Sequence, residues 1–225
     1  MKTRFFLFIV CVALSFNATA QQPPFYEDIQ AFKKQDSIKA PPQHAILFVG
    51  SSSFTKWTDV QSYFPGYTII NRGFGGSTLP DVIRYANDII FPYQPKEIVI
   101  YCGENDFAAD DNTTVQMVFD RFKTLYGMIR EKLKTVPVAY VSLKPSPSRR
   151  KYWPKMIEAN RMIKDYISKQ SHASFINVFD VMMNASHQPK PEIFLDDSLH
   201  MNAKGVPLSC VILPMYVSIL VVGRR

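Results

Sequence analysis

The sequence predicts a three-layer α/β/α domain built on a five-stranded parallel sheet. Apolar, β-prone runs recur along the chain with helix-like stretches between them. The runs lack the apolar–polar alternation of a half-exposed sheet, so both of their faces are expected to be covered. Strand alternating with helix means parallel pairing through crossover connections.

The strands are expected at residues 45–49, 67–70, 97–101, 138–142 and 174–178. Helical character is expected first at 25–38, where Ile29, Phe32 and Ile38 are apolar among polar neighbours, and then at 79–90, 113–134 and 153–170. The 225 residues suffice for one domain with a substantial core. No internal repeat or low-complexity linker divides the chain, so residues 21–225 read as a single domain.

Residues 1–20 stand apart. Lys2 and Arg4 form a positive start, residues 5–14 are apolar, and Ala18-Thr19-Ala20 offers a small-x-small cleavage site. This is the pattern of a secretory signal peptide, with a periplasmic or extracellular destination. The apolar stretch is shorter than the ~20 residues a membrane span needs. Cys11 lies inside it rather than at the cleavage site, which gives no support to a lipid-modified cysteine.

Without Lys2 and Arg4 the formal net charge drops from +7 to about +5, spread too thinly to indicate a nucleic-acid partner. Beyond the leader only Cys102 and Cys210 remain. That excludes a disulfide scaffold and leaves open either one bridge or free thiols, the buried free thiol being the blander state for Cys102.

In a parallel sheet, ligands bind beyond the carboxyl ends of the strands. Three polar motifs fall there: Gly50-Ser51-Ser52-Ser53 after the first strand, residues 71–78 (NRGFGGST) after the second, and Gly103-Glu104-Asn105-Asp106 after the third. A serine at a strand-to-helix turn exposes its hydroxyl beside free backbone N–H groups, which makes Ser52 a candidate nucleophile. The plainer alternative is that the serines cap the next helix. The spacing is not GxSxG.

The glycine-rich stretch matches neither GxGxxG nor GxxxxGK[ST], and the acidic residue a dinucleotide site wants is at the wrong edge, since Glu97 begins the next strand. A flavodoxin-like nucleotide module is therefore unsupported. Gly76 is instead a candidate backbone donor to an oxyanion, and Asn105 a candidate side-chain donor; ordinary turns are the alternatives.

Asp197 and His200 stand three residues apart. At that spacing a carboxylate reaches Nδ1 of the imidazole and leaves Nε2 for a serine proton. His44 and His172 precede strands, at the opposite edge, and His187 has no acidic residue at turn spacing. Asp196, Asp197, His187 and His200 show no recognisable zinc spacing.

These blocks, in order from residue 45 to residue 205, resemble the SGNH (GDSL-type) hydrolase superfamily. Gly50-Ser51-Ser52 stands at its GDS block, with Ser51 in place of the usual aspartate. Gly76 falls on the oxyanion glycine, Asn105 on the asparagine of GxND, and Asp197 to His200 on DxxH. GSSS with NRGFGGST is similar to an acetylhydrolase-like esterase subgroup. The resemblance implies a flavodoxin-like fold and a secreted serine esterase. Its catalytic residues would be Ser52, His200 and Asp197, and its oxyanion hole Ser52, Gly76 and Asn105. It implies no metal or organic cofactor, and an ester substrate that is a small molecule or a carbohydrate, with a short acyl group such as acetyl. The alternative from another class is a non-catalytic glycan-binding protein on the same fold.

Residues 144–153 (KPSPSRRKYW) follow the fourth strand at the same edge. Arg149 and Trp153 there are candidates to hold substrate, against a solvated loop in which Trp153 plugs a helix into the core. Residues 206–222 carry no charge but include Pro207 and Pro214. A buried closing helix broken by proline, a membrane-associated tail and an altered reading frame all fit that composition; the two prolines weigh against a stable span.

Overall fold

A computed structural model describes residues 22–205. The expected leader at 1–20, the apolar tail at 206–225 and Cys210 therefore lie outside the described residues. The order is α1 (Tyr26–Ile38), β1 (Ile46–Gly50), α2 (Ser52–Thr55), β2 (Ile69–Gly73), α3 (Leu79–Ile89), β3 (Glu97–Tyr101), α4 (Glu104–Ala109), α5 (Val115–Lys132), β4 (Val138–Val141), α6 (Trp153–Ile167) and β5 (Ala173–Ile176). Short 3₁₀ turns join them at Val60–Tyr63, Phe91–Tyr93, Pro147–Tyr152 and Pro191–Ile193.

All five strands are parallel, in the order β2-β1-β3-β4-β5, with helices on both sides. This is the expected fold, and the strand order explains the layering. The chain steps one way from β1 to β2 and the other way from β2 to β3. Right-handed crossovers then require the first connection to lie on one face and the later ones on the other.

The two cores show this. Leu47, Val49, Ile98, Ile100 and Tyr140 face α1, α3, α5 and α6 through Ile29, Val82, Phe122 and Met156. Ile46, Phe48, Val99, Tyr101 and Val141 face Phe54, Trp57, Val60 and Phe64 of the β1–β2 connection.

Local chemistry sets the helix ends. Asp81 accepts hydrogen bonds from the Thr78 amide (2.9 Å) and hydroxyl (2.6 Å), which starts α3 with Pro80 in its first turn. The Thr114 hydroxyl accepts from Met117 N at 3.2 Å to start α5, so that helix begins two residues after the expected 113. Arg130 and Lys132 close it against the negative end of its dipole.

The second strand departs most from expectation. It runs to Gly73, because Asn71, Arg72 and Gly73 pair in register with Phe48, Val49 and Gly50. Arg72 is buried against the sheet edge. It pairs with Asp36 of α1 and donates from Nε to the Tyr93 hydroxyl at 2.7 Å, with Phe32 and Tyr93 beneath its guanidinium. A strand residue whose charge is satisfied by a neighbouring helix reads as loop in the sequence.

Glu97 opens β3 at the sheet edge away from the motifs. It is buried, and neither carboxylate oxygen has a hydrogen-bond partner among the described residues. Burial favours the neutral acid and pushes its pKa up to about 7, only partly opposed by Lys96. The folded chain therefore holds this proton more tightly than the unfolded chain does. Its contribution is complete below the unfolded value near 4.5 and is lost as pH rises through about 7, a swing of roughly 3 kcal/mol at most. Denaturant titrations at pH 5 and pH 8 should show wild type losing stability over this interval and Glu97→Gln losing distinctly less. Equal losses in the two proteins would count against a neutral buried acid.

Candidate active site

The site begins at the end of β1. Gly50 (φ 142°) passes so close to β3 that a Cβ there would collide with the Tyr101 carbonyl oxygen, so only glycine lets the chain leave the sheet here. Ser51 N then bonds to Tyr101 O at 3.0 Å, and Ser52 opens α2 as its first residue. Ser51 stands at the N-cap in extended geometry, yet its side chain makes no capping bond, so capping does not account for the serines. The helix is held by its own apolar anchors: Phe54 and Trp57 stand edge-on to Phe48, at 5.0 and 5.9 Å. Asn71 of β2 clasps it as well, donating to Phe54 O at 2.7 Å while its Oδ1 accepts from Gly73 N at 2.9 Å.

The glycine loop is shorter than expected, since residues 71–73 belong to β2. Phe74 to Ser77 form a turn closed by Ser77 N to Phe74 O at 3.3 Å, with Gly76 at φ 85°, as the third residue of a type II turn requires. The turn lies over the serine: a Cβ on Gly75 would stand 3.9 Å from Ser52 Cβ. Ser77 Oγ donates to Gly50 O at 3.2 Å, and the Asn105 amide donates to Ser77 O at 3.1 Å. Ser52, the Gly76 turn and Asn105 are thus tied together at one place, with one Asn105 N–H left without a partner among the described residues.

Asp106 has a structural task. Buried, it accepts from Leu79 N at 2.9 Å and pairs with Arg121 of α5 at 2.8 Å, locking α3, α4 and α5 beneath the loops. Desolvation pushes its pKa up, against the lowering effects of the Leu79 and Arg121 bonds. Cys102 is buried, with no disulfide partner among the described residues, and burial raises its thiol pKa well above the ordinary value.

The last block arrives from the far end of the described chain. His200 Nε2 lies 2.8 Å from Ser52 Oγ, and Nδ1 lies 2.6 Å from Asp197 Oδ2. The other Asp197 oxygen accepts the backbone N–H groups of Leu199 (3.0 Å) and His200 (2.9 Å). The His200 side chain and these amides hold the Asp197 carboxyl well below the usual carboxylate range, although it is 41% exposed. Nε2 is left to exchange a proton with the serine hydroxyl.

Trp153 finds its partners within the protein. Its Nε1 donates to Ser146 O at 3.0 Å, one edge meets Phe179, and Arg150 covers its face. That arrangement plugs α6 onto the loop after β4. Arg149 is half-buried, with Nε 3.8 Å from Glu104 Oε1 and without a hydrogen-bond partner for that N–H among the described residues. The residues that sequence reasoning passed over are Glu104, Lys144, Ser146 and Ser148, whose contacts span 40 to 53 positions and leave no local pattern. Among the described residues no cluster of three His, Cys, Asp or Glu could hold a metal ion, and no helix is long and apolar enough to cross a membrane.

Known proteins repeat this architecture. A Bacteroides fragilis protein assigned as an acylhydrolase is 17% identical with a TM-score of 0.76, over 88% of this chain and 98% of that one. A GDSL-like lipase of Bacteroides thetaiotaomicron is 17% identical, with a TM-score of 0.71 over 84% and 97%. A family 3 carbohydrate esterase of Clostridium thermocellum is 14% identical, with a TM-score of 0.59 over 82% and 100%. At these identities the likeness is one of fold. No curated protein matches the chain in sequence. Residues 36–206 match the GDSL-like lipase/acylhydrolase family, taking in every block described above. The chain belongs to that family and is a hydrolase of ester bonds.

Proposed function

We propose that the protein is an exported serine esterase that cleaves short-chain carboxylic esters through an acyl-enzyme, with Ser52, His200 and Asp197 as its triad. The observation that carries this is His200 bridging Ser52 and Asp197 across 148 positions of sequence. Ser52 Oγ attacks the ester carbonyl carbon while its proton passes to His200 Nε2. Asp197, kept ionised by its hydrogen bonds, stabilises the imidazolium and fixes its orientation. The tetrahedral oxyanion is held by the Ser52 and Gly76 N–H groups and by the free N–H of Asn105. On collapse His200 returns the proton to the departing alcohol, leaving the acyl group on Ser52. Water then attacks with His200 again taking a proton, and the acid and free serine are regenerated.

A short acyl group suits the shallow site typical of a sheet edge, and GSSS with NRGFGGST resembles an acetylhydrolase-like esterase subgroup. A carbohydrate alcohol is suggested by the carbohydrate esterase among the fold relatives, with Arg149 as a candidate contact beyond the scissile bond. The leader at 1–20 supports export to the periplasm or beyond.

Ser52→Ala should abolish labelling by a fluorophosphonate probe and lower kcat by roughly 10⁴–10⁶. Asn105→Ala should keep the label and lower kcat by roughly 10²–10³. Label retained by Ser52→Ala would reject that serine as nucleophile. Across p-nitrophenyl esters from acetate to palmitate, kcat/KM should be highest at acetate or propionate and fall with chain length; an optimum at long chains would reject the short-acyl assignment. Sequencing the secreted chain should find Gln21 at its N-terminus, whereas retention of residues 1–20 would rule out cleavage there.

A further inference from the structure

The proposed reaction leaves a buried polar cluster unused. Glu104, the residue before Asn105, is 4% exposed at its side chain, and Lys144 is 3% exposed. Lys144 Nζ lies 2.8 Å from Glu104 Oε2 and donates to the Tyr101 hydroxyl at 3.2 Å, while that hydroxyl donates to the same carboxylate oxygen. Glu104 Oε1 takes the Ser146 hydroxyl at 3.2 Å. That hydroxyl also lies 3.4 Å from the carbonyl oxygen of Leu199, the residue before His200. One step on, the amide and hydroxyl of Ser148 donate to Ser198 O at 3.1 and 3.0 Å.

These contacts connect the turn that presents Asn105 to the loop that presents His200. A buried ion pair is a poor source of stability, because desolvating both charges consumes most of their attraction and apolar residues of equal volume often serve as well. What it does supply is fixed geometry. Several donors converge on one carboxylate, so each loop can sit in few places relative to the other. We propose that Glu104, Lys144 and Ser146 are positioning residues, holding the oxyanion donor Asn105 in register with the base His200. None of the three touches the reacting atoms. The proposal rests on the esterase reading and adds how its two halves are kept in step. The sensitivity is large, since a displacement of about 1 Å in a catalytic group can cost roughly 10²-fold in rate.

Three variants of the full chain test this: Ser146→Ala, Ser146→Thr, and the double variant Glu104→Gln/Lys144→Met, which removes both buried charges together. Active sites are counted with the fluorophosphonate probe, and kcat and KM are measured on p-nitrophenyl acetate. Per labelled site, kcat should fall about 10-fold in Ser146→Ala and about 100-fold in the double variant, with KM within about twofold. Ser146→Thr, which keeps the hydroxyl, should stay within about threefold of wild type. An active wild type whose kcat per labelled site is matched within twofold by Ser146→Ala would overturn the proposal, whether or not the double variant folds. Equal losses in the Ala and Thr variants would also overturn it, by showing that the hydroxyl is irrelevant. A wild type that neither takes label nor turns over any ester would overturn the esterase reading itself, and the positioning role with it.

Discussion

The central strand β1 is hydrogen-bonded along both edges, to β2 on one side and β3 on the other, and strand order reverses across it. The connections leaving β1 and β3 must part to opposite faces of the sheet, which opens a crevice at their carboxyl ends. Ser52 stands at one lip and Asn105 at the other, with the Gly76 turn of β2 laid over both. The pairing that builds the core therefore also fixes where chemistry can occur. It explains why Gly50 must be glycine: β1 presses against the Tyr101 carbonyl at the point where the chain turns out toward the site.

Buried charge is managed differently at the two ends of this sheet. At the site end, Glu104 meets Lys144, Asp106 meets Arg121, and every one of those carboxylate oxygens has a donor. At the far end Glu97 is buried with no hydrogen-bond partner among the described residues and is held toward its neutral form. Paired charges fix the relative position of the elements that carry them, whereas a neutral acid fixes nothing and only makes stability depend on pH. The paired charges lie at the edge that carries the proposed catalytic groups, where loops from different elements meet.

Most of the fold was legible because buried parallel strands are short, uninterrupted apolar runs and the long helices carry clear periodicity. The exceptions have physical causes. β2 was placed two to three residues early because Asn71 and Arg72 are polar, and nothing local announces that Phe54 O, Asp36 and Tyr93 will satisfy them. The four residues of α2 and the six of α4 are too few to show a helical period. Of the candidate site residues, Ser52, Gly76, Asn105, Asp197 and His200 all reach one edge of the sheet. Glu104 and Lys144 passed unnoticed because an ion pair across 40 positions has no signature until the fold brings its members together.

The exposed Asp197 shows where precision is needed most. Its carboxylate is oriented by its own turn: two backbone N–H groups fix one oxygen and leave the other for His200 Nδ1. A spacing of three residues thus makes acid and imidazole a single local unit that tolerates solvent, since hydrogen bonds rather than burial keep the carboxylate charged. No comparable local device joins His200 to Ser52, which depends on two loops from opposite ends of the domain. The histidine loop is accordingly pinned along its length. Leu195 N bonds to His200 O, Asn202 donates to Glu192 O and Phe194 O, and Ser146 and Ser148 reach the carbonyls at 199 and 198. Each is a modest bond, worth about 1 kcal/mol alone. Acting on one short loop they restrict the same motion, and the 2.8 Å contact between imidazole and hydroxyl is where that restriction converges.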